Sequence, residues 1–250
     1  MGNRLELHEN TKPGTEFEWW EVILNPPSMK RTFSHAFAFV LLTCVASGCD
    51  AASSSSQNPT DPSMLNTTPP EGLEYAVLAG GCFWCTEAIY VEMTGVVKVE
   101  SGYTGGHIKN PGYREICTGR TGHAEAVRIT FDPSEVSFGE LLEVFWRTHD
   151  PTTLNRQGAD AGTQYRSAIF PQTEAQFKLA QASLEAAEEA GLWDDPIVTT
   201  IEEQAPFYVA EEYHQDYFAR NPDQGYCVAV VGPKVKKFKA LFADKLKGSH

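Results

Sequence analysis

Cysteine is scarce in this chain, six in 250 residues, too few for a disulfide scaffold. Basic charge is also short. Lys and Arg number 20 against 33 Asp and Glu, a formal charge of −13, which argues against binding a nucleic-acid backbone. No apolar run reaches the roughly 18–20 residues that a membrane-spanning helix needs. What is present is enough to build a core: 42% hydrophobic residues and 11% aromatics, too many for a disordered chain.

The first seventy residues do not read as fold. Met29-Lys30-Arg31 opens a positive segment, Thr32 to Val45 is an apolar stretch of signal-peptide length, and Ala46-Ser47-Gly48-Cys49 closes it with small residues and a cysteine. This resembles the bacterial lipoprotein signal, with Ala46 where Leu is usual. The resemblance implies cleavage before Cys49, acylation of its thiol, and an extracytoplasmic protein of the periplasm or cell envelope. Residues 1–28 fit no signal peptide and are expected to precede the true start near Met29. Residues 50–72, rich in Ser, Pro, Thr and Asn, cannot bury enough apolar surface to offset their ordering entropy and read as a flexible tether.

The folded part is expected over 73–250. Strands are read at Glu74–Ala79, Val96–Tyr103, Glu125–Phe131, Gln164–Phe170 and Ile197–Ile201. Helices are read from Cys82 to Thr94, from Ser137 to Thr148 behind a capping box, after Thr173 with Phe177, Ala180, Leu184 and Ala187 on one face, and from Phe207 to Arg220. The glycine-rich stretch 104–123 is a loop long enough to be functional. This order predicts one α+β domain, a sheet with helices packed on it.

The sharpest chemical signal is GCFWCTE, residues 81–87. After Gly80-Gly81 the backbone bends abruptly, and Cys82 is placed at a helix start. The unpaired N–H groups and dipole there are expected to lower its pKa and favour a thiolate. A zinc site would need a second Cys or His pair at suitable spacing, and the sequence has none. Strand alternation puts Glu125 on the apolar face with Val127, Ile129 and Phe131, where desolvation would keep it protonated near neutral pH. Tyr103, Tyr113 and Tyr165, with Asp160 nearby in sequence, could hold a polar oxygen.

Five blocks, GCFWCTE, NPGYREICTGRTGHAEAV, LLEVFWRTHDPTT, RQGADAGTQYRSAIF and HQDYFARNPDQGYC, are together similar to the A-type peptide-methionine sulfoxide reductases. The resemblance implies a two-layer, ferredoxin-like α+β core with long irregular segments. It implies reduction of methionine S-sulfoxide, free or protein-bound, in a repair role, by a monomer needing no metal or organic cofactor. It implies Cys82 as nucleophile, Glu125 as proton donor, Phe83 and Trp84 as the pocket for the S-methyl group, and Tyr113, Tyr165 and Asp160 as the residues that hold the oxygen and its waters. Cys227, in the GYC block, is implied as a recycling thiol, with an external dithiol such as a thioredoxin-like protein as donor. Cys85 stands where many members have Gly, so either Cys85 or Cys227 could resolve Cys82. The reading favours Cys227 on a mobile tail, because a Cys82–Cys85 bridge would strain the first helical turn. Cys117 is expected to be redox-silent. Two rivals stay open at this point: a thioredoxin-like thiol–disulfide oxidoreductase using Cys82 and Cys85, and a non-catalytic lipoprotein binding module.

Overall fold

The computed structural model describes residues 68–248. Residues 1–28, the expected signal segment 29–49 with its expected acylation site Cys49, and all but the end of the expected tether lie outside them. The helical and extended elements run β1 (Glu74–Gly80), α1 (Phe83–Tyr90), β2 (Val96–Thr104), α2 (Tyr113–Ile116), β3 (Ala124–Phe131), α3 (Phe138–Thr148), β4 (Arg156–Gln157), β5 (Asp160–Ala161), β6 (Ser167–Phe170), α4 (Glu174–Glu189), β7 (Thr200–Ile201), β8 (Tyr208–Val209), α5 (Tyr217–Arg220), a π-helical segment (Cys227–Val231) and α6 (Gly232–Leu241).

Among the described residues the main sheet has the order β7-β6-β1-β3-β2-β8. β6, β1, β3 and β2 are antiparallel throughout, and β7 joins β6 in parallel. The unit β1-α1-β2-β3-α3-β6 is thus a split β-α-β pair, the ferredoxin-like arrangement expected. Alternation sorts β3 as read. Val127, Ile129 and Phe131 join the large core beneath the helices, with Leu141, Leu142 and Phe145 of α3 and Phe238 of α6. Ala124 and Ala126 join a smaller cluster on the opposite face with Val77, Ala168 and Phe207.

Local signals hold at several ends. Ser137 Oγ accepts from Glu140 N at 3.2 Å while Glu140 Oε2 accepts from Ser137 N at 2.8 Å, the reciprocal cap that starts α3. Gly95 takes φ +78° after α1, and a Cβ there would strike Val136 at 2.6 Å. The α1 segment ends earlier than read, at Tyr90, and tight turns carry the chain to Gly95.

Other expectations are corrected. The buried stripe of α4 is centred one residue earlier than predicted, on Gln176, Ala180, Ser183 and Ala187, and Phe177 is 37% exposed. The polar members are satisfied there: Gln176 Nε2 donates to Tyr75 O at 2.8 Å, and Ser183 Oγ accepts from Trp146 Nε1 at 2.6 Å. The strand read from Gln164 begins only at Ser167, because residues 163–165 form a 3₁₀ turn. The strand read over 197–201 shrinks to two residues. The helix read over 207–220 is instead strand β8, a 3₁₀ turn at Glu212–His214, and short α5. Its continuity is broken by Asp216, left-handed at φ 52°, and by Gln215, whose side chain bonds to the backbone of Ser101 and Ala210.

Candidate active site

The nucleophile's position begins with a glycine. Gly81 has φ +93°, and a Cβ on it would lie 2.5 Å from Gln157 Cβ, so backbone and space both demand Gly. The sharp turn leaves Cys82 as the N-cap of α1, at φ −57°, ψ 122°, outside the helix proper and 6% exposed.

The helix terminus does not activate the thiol as expected. The N–H of Phe83, the first in α1, donates to Glu125 Oε2 at 3.2 Å. Burial then pushes the Cys82 thiol well above its ordinary pKa, with the Cys85 thiol and the Glu125 charge adding to the effect. The Tyr226 hydroxyl, within hydrogen-bonding reach, acts in the opposite sense. The predicted lowering is therefore replaced by a raised pKa.

Glu125 is 2% exposed, and burial raises its pKa to about 8. The Phe83 N–H opposes the shift, and the charges of Asp160 and Cys85 add to it. It is a carboxylic acid at neutral pH, as strand alternation predicted. Tyr113 and Tyr165, both half-buried, stand close enough for the Glu125 charge to raise their pKa values, although burial is the larger cause. Tyr165 also feels Cys82. Asp160 Oδ2 accepts from Tyr226 Oη at 2.6 Å. The sequence-predicted Cys82, Glu125, Tyr113, Tyr165 and Asp160 thus converge on one spot.

Above them is an aromatic cage. The Trp84 indole lies flat on Tyr217, centroids 3.6 Å apart at 6°, with Tyr226 edge-on at 5.8 Å. Trp84 Nε1 donates to His214 Nδ1 at 3.2 Å, which places the imidazole proton on Nε2. The His214 ring also packs on Tyr113 at 4.4 Å and Phe83 at 5.1 Å. Burial lowers the His214 pKa to about 4, so the ring is neutral at physiological pH. Phe83 is 1% exposed and forms the floor of the cage, while half-buried Trp84 offers the more accessible apolar surface.

The comparisons with known proteins agree with this geometry. The family model described as "Peptide methionine sulfoxide reductase" matches residues 74–246. The peptide methionine sulfoxide reductase MsrA of Deinococcus radiodurans is 56% identical over 181 residues, 72% of this chain and 88% of that protein. MsrA 1 of Rhodopirellula baltica is 57% identical over 191 residues, covering 76% and 98%. Among solved structures, methionine sulfoxide reductase A of Corynebacterium diphtheriae superimposes with a TM-score of 0.57 at 40% identity, covering 63% of this chain and 79% of that one. Mxr1 of Saccharomyces cerevisiae in its reduced form gives 0.57 at 36% identity, covering 64% and 92%.

The chain belongs to the peptide methionine sulfoxide reductase family, A type.

In this reductase Cys82, Cys85 and Cys227 are all thiols. Cys85 is 2% exposed and hydrogen-bonded to the Cys82 thiol. That bond, together with the Lys234 cation, brings its pKa down. Cys82 is the N-cap, with its carbonyl accepting from Cys85 N at 3.1 Å, and its thiol lies within hydrogen-bonding reach of the Cys85 thiol. Cys227 is not on an open tail. It is buried in the π-helical segment that runs into α6, and its pKa is raised first by burial and then by the Cys85 charge. Cys117 is exposed at the end of α2. Among the described residues no group of three or more His, Cys, Asp or Glu stands in metal-binding array.

Three residues of the site went unread in the sequence: His214, Tyr217 and Tyr226. All lie in the block 214–227 that carried the resemblance, but the nearby thiol Cys227 was the only member picked out.

Proposed function

We propose that this chain reduces methionine S-sulfoxide, in proteins and as the free amino acid, with Cys82 as nucleophile and Glu125 as acid. The carrying observation is that a protonated carboxyl, Glu125, accepts from the backbone N–H of Phe83, the residue next to the buried Cys82 thiol, beside a cluster of aromatic rings. The sulfoxide's S-methyl group packs against Trp84, and its oxygen lies toward Glu125, Tyr113 and Tyr165. The Cys82 thiolate, stabilised by the Tyr226 hydroxyl, attacks the sulfoxide sulfur. As the substrate S–O bond breaks, Glu125 supplies the proton. The tyrosine hydroxyls stabilise charge developing on the oxygen. The attack has joined the Cys82 sulfur to the methionine sulfur. The released oxygen now bonds to the Cys82 sulfur as that S–S bond breaks, and the bonding pair goes to the methionine sulfur. Methionine leaves, and Cys82 is left as a sulfenic acid.

The hydrogen bond between the Cys82 and Cys85 thiols, and the effect of the Cys85 charge on Cys227, support a recycling order. Cys85 attacks the sulfenic sulfur, releasing water and forming the Cys82–Cys85 disulfide. Cys227 then attacks Cys85, freeing Cys82, and an external thioredoxin-like dithiol reduces the Cys85–Cys227 bridge. Both Cys85→Ser and Cys227→Ser should lose turnover with a protein dithiol while keeping much of it with dithiothreitol. Mass spectrometry after one turnover separates the steps: sulfenic acid should persist in Cys85→Ser, and a Cys82–Cys85 disulfide should accumulate in Cys227→Ser. A Cys82–Cys227 disulfide in wild type, with Cys85→Ser fully active, would reverse the order. Thiol–disulfide exchange as the main activity is disfavoured, because it gives no role to the GHAEAV and GTQYRS blocks that surround Cys82.

The place of action rests on the sequence of residues 29–72. An exported, lipid-anchored protein would repair oxidised envelope proteins and would draw electrons from an extracytoplasmic dithiol, because that compartment oxidises thiols. The protein should sediment with membranes, and Cys49→Ala should release it or block its processing. Recovery of soluble cytoplasmic protein beginning at Met1 would sink this localisation.

A further inference from the structure

Glu87 closes the GCFWCTE motif and has no part in the chemistry above. It is 2% exposed, on the third residue after Trp84 in α1. Its carboxylate does not face solvent or a cation but the chain entering α5. Oε1 accepts from Asp216 N at 3.1 Å and Oε2 from Tyr217 N at 3.3 Å. No side chain of α5's own segment caps it, and Asp216 there stands at φ 52°, a left-handed conformation uncommon outside glycine and best tolerated by Asn and Asp. The residue whose backbone Glu87 grips carries the ring stacked on Trp84 at 3.6 Å. Helix α1 therefore bears one ring of the stacked pair directly and holds the other through Glu87. Burial raises the Glu87 pKa to about 7 despite both N–H bonds, and the Asp216 charge adds to that rise, so a costly group is kept here.

We propose that Glu87 is a positioning residue for substrate: by accepting from the backbone N–H groups of Asp216 and Tyr217 it fixes the Tyr217 ring against Trp84 and so shapes the wall that receives the sulfoxide. This rests on the reading of the aromatic cage as the substrate site. Glu87 touches neither sulfur nor oxygen, so binding should suffer and chemistry should not.

The test is steady-state and single-turnover kinetics on a methionine S-sulfoxide peptide, with near-ultraviolet circular dichroism to follow the Trp84–Tyr217 stack. Glu87→Gln keeps the shape but turns an amide NH₂ toward one of the two N–H donors. KM should rise about tenfold, while the single-turnover rate at saturating peptide stays within about twofold of wild type. The aromatic dichroism should weaken. Tyr217→Ala should raise KM too, and the double variant should be no worse than Tyr217→Ala alone, because Glu87 acts through that ring. Glu87→Ala should exceed the Gln effect, and if it does not fold, the isosteric Gln variant decides. Wild-type KM in Glu87→Gln beside a raised KM in Tyr217→Ala would overturn the role of Glu87 and leave the cage reading intact. Wild-type KM in Tyr217→Ala would overturn both. Equal falls in kcat and kcat/KM for Glu87→Gln, or additive effects in the double variant, would overturn the positioning role.

Discussion

Cys82→Ser should abolish reduction of methionine S-sulfoxide even with dithiothreitol present. The serine oxygen is isosteric enough to keep the N-cap turn, and Gly81, Phe83 and the Phe83 N–H to Glu125 bond need no rearrangement. What disappears is a soft nucleophile able to accept oxygen and later form a disulfide. Cys85 cannot substitute. It is a full helical turn further along α1, and its thiol faces Cys82 on one side and Cys227 on the other. The loss should approach the detection limit in both single-turnover and steady-state assays, with the fold unchanged by circular dichroism. Sulfenic acid detected in the variant after incubation with sulfoxide would show that another thiol does the first step.

Glu125→Gln should lower the rate of sulfenic-acid formation by about 10²–10⁴, the usual cost of removing a general acid. Glutamine keeps the oxygen that accepts from Phe83 N–H but delivers no proton. The pH dependence gives an independent sign. Because burial raises the Glu125 pKa to about 8, the acid form is present below that pH and disappears above it. Thiolate supply at Cys82 still grows through this range, because burial holds that thiol well above its ordinary pKa. The two effects offset, so wild-type single-turnover reduction should rise with pH up to about 8 and level off there, whereas in Glu125→Gln the slower rate should keep rising with the thiolate through the same range. Wild-type speed in Glu125→Gln would make the residue structural.

Parts of this site could be read before the structure and parts could not, for definite reasons. The Gly-Gly-Cys turn and the alternation of Glu125 with Val127, Ile129 and Phe131 are local patterns, and both landed where expected. The pKa of Cys82 did not, because burial by distant parts of the chain outweighs the helix terminus, and the adjacent Phe83 N–H is taken by Glu125, a partner 42 residues away. The stretch 207–220 looked helical by pattern, yet its N–H groups are claimed by Glu87 and its path is fixed by Gln215 bonding across to Ser101. His214, Tyr217 and Tyr226 acquire meaning only through Trp84 and Asp160, which the chain brings to them from far upstream. Aromatic residues at those positions carry no periodicity that marks them as a cage.

The span between Trp84 and His214 is 130 residues, and between Asp160 and Tyr226 it is 66. Synthesis proceeds from the N-terminus, so the nucleophilic thiol leaves the ribosome long before the rings that enclose it. Pairings of such separation are also the slow ones in folding. The interval matters for a protein whose working atom is easily oxidised. Until residues 208–227 dock, Cys82 is an ordinary thiol beside a second thiol, with no wall to select a sulfoxide and no Tyr226 to favour its thiolate. Substrate-dependent sulfenic acid at Cys82 thus reports a finished molecule, and a nascent chain halted before the last strand and the π-helical turn should be open to indiscriminate oxidants yet unable to turn over.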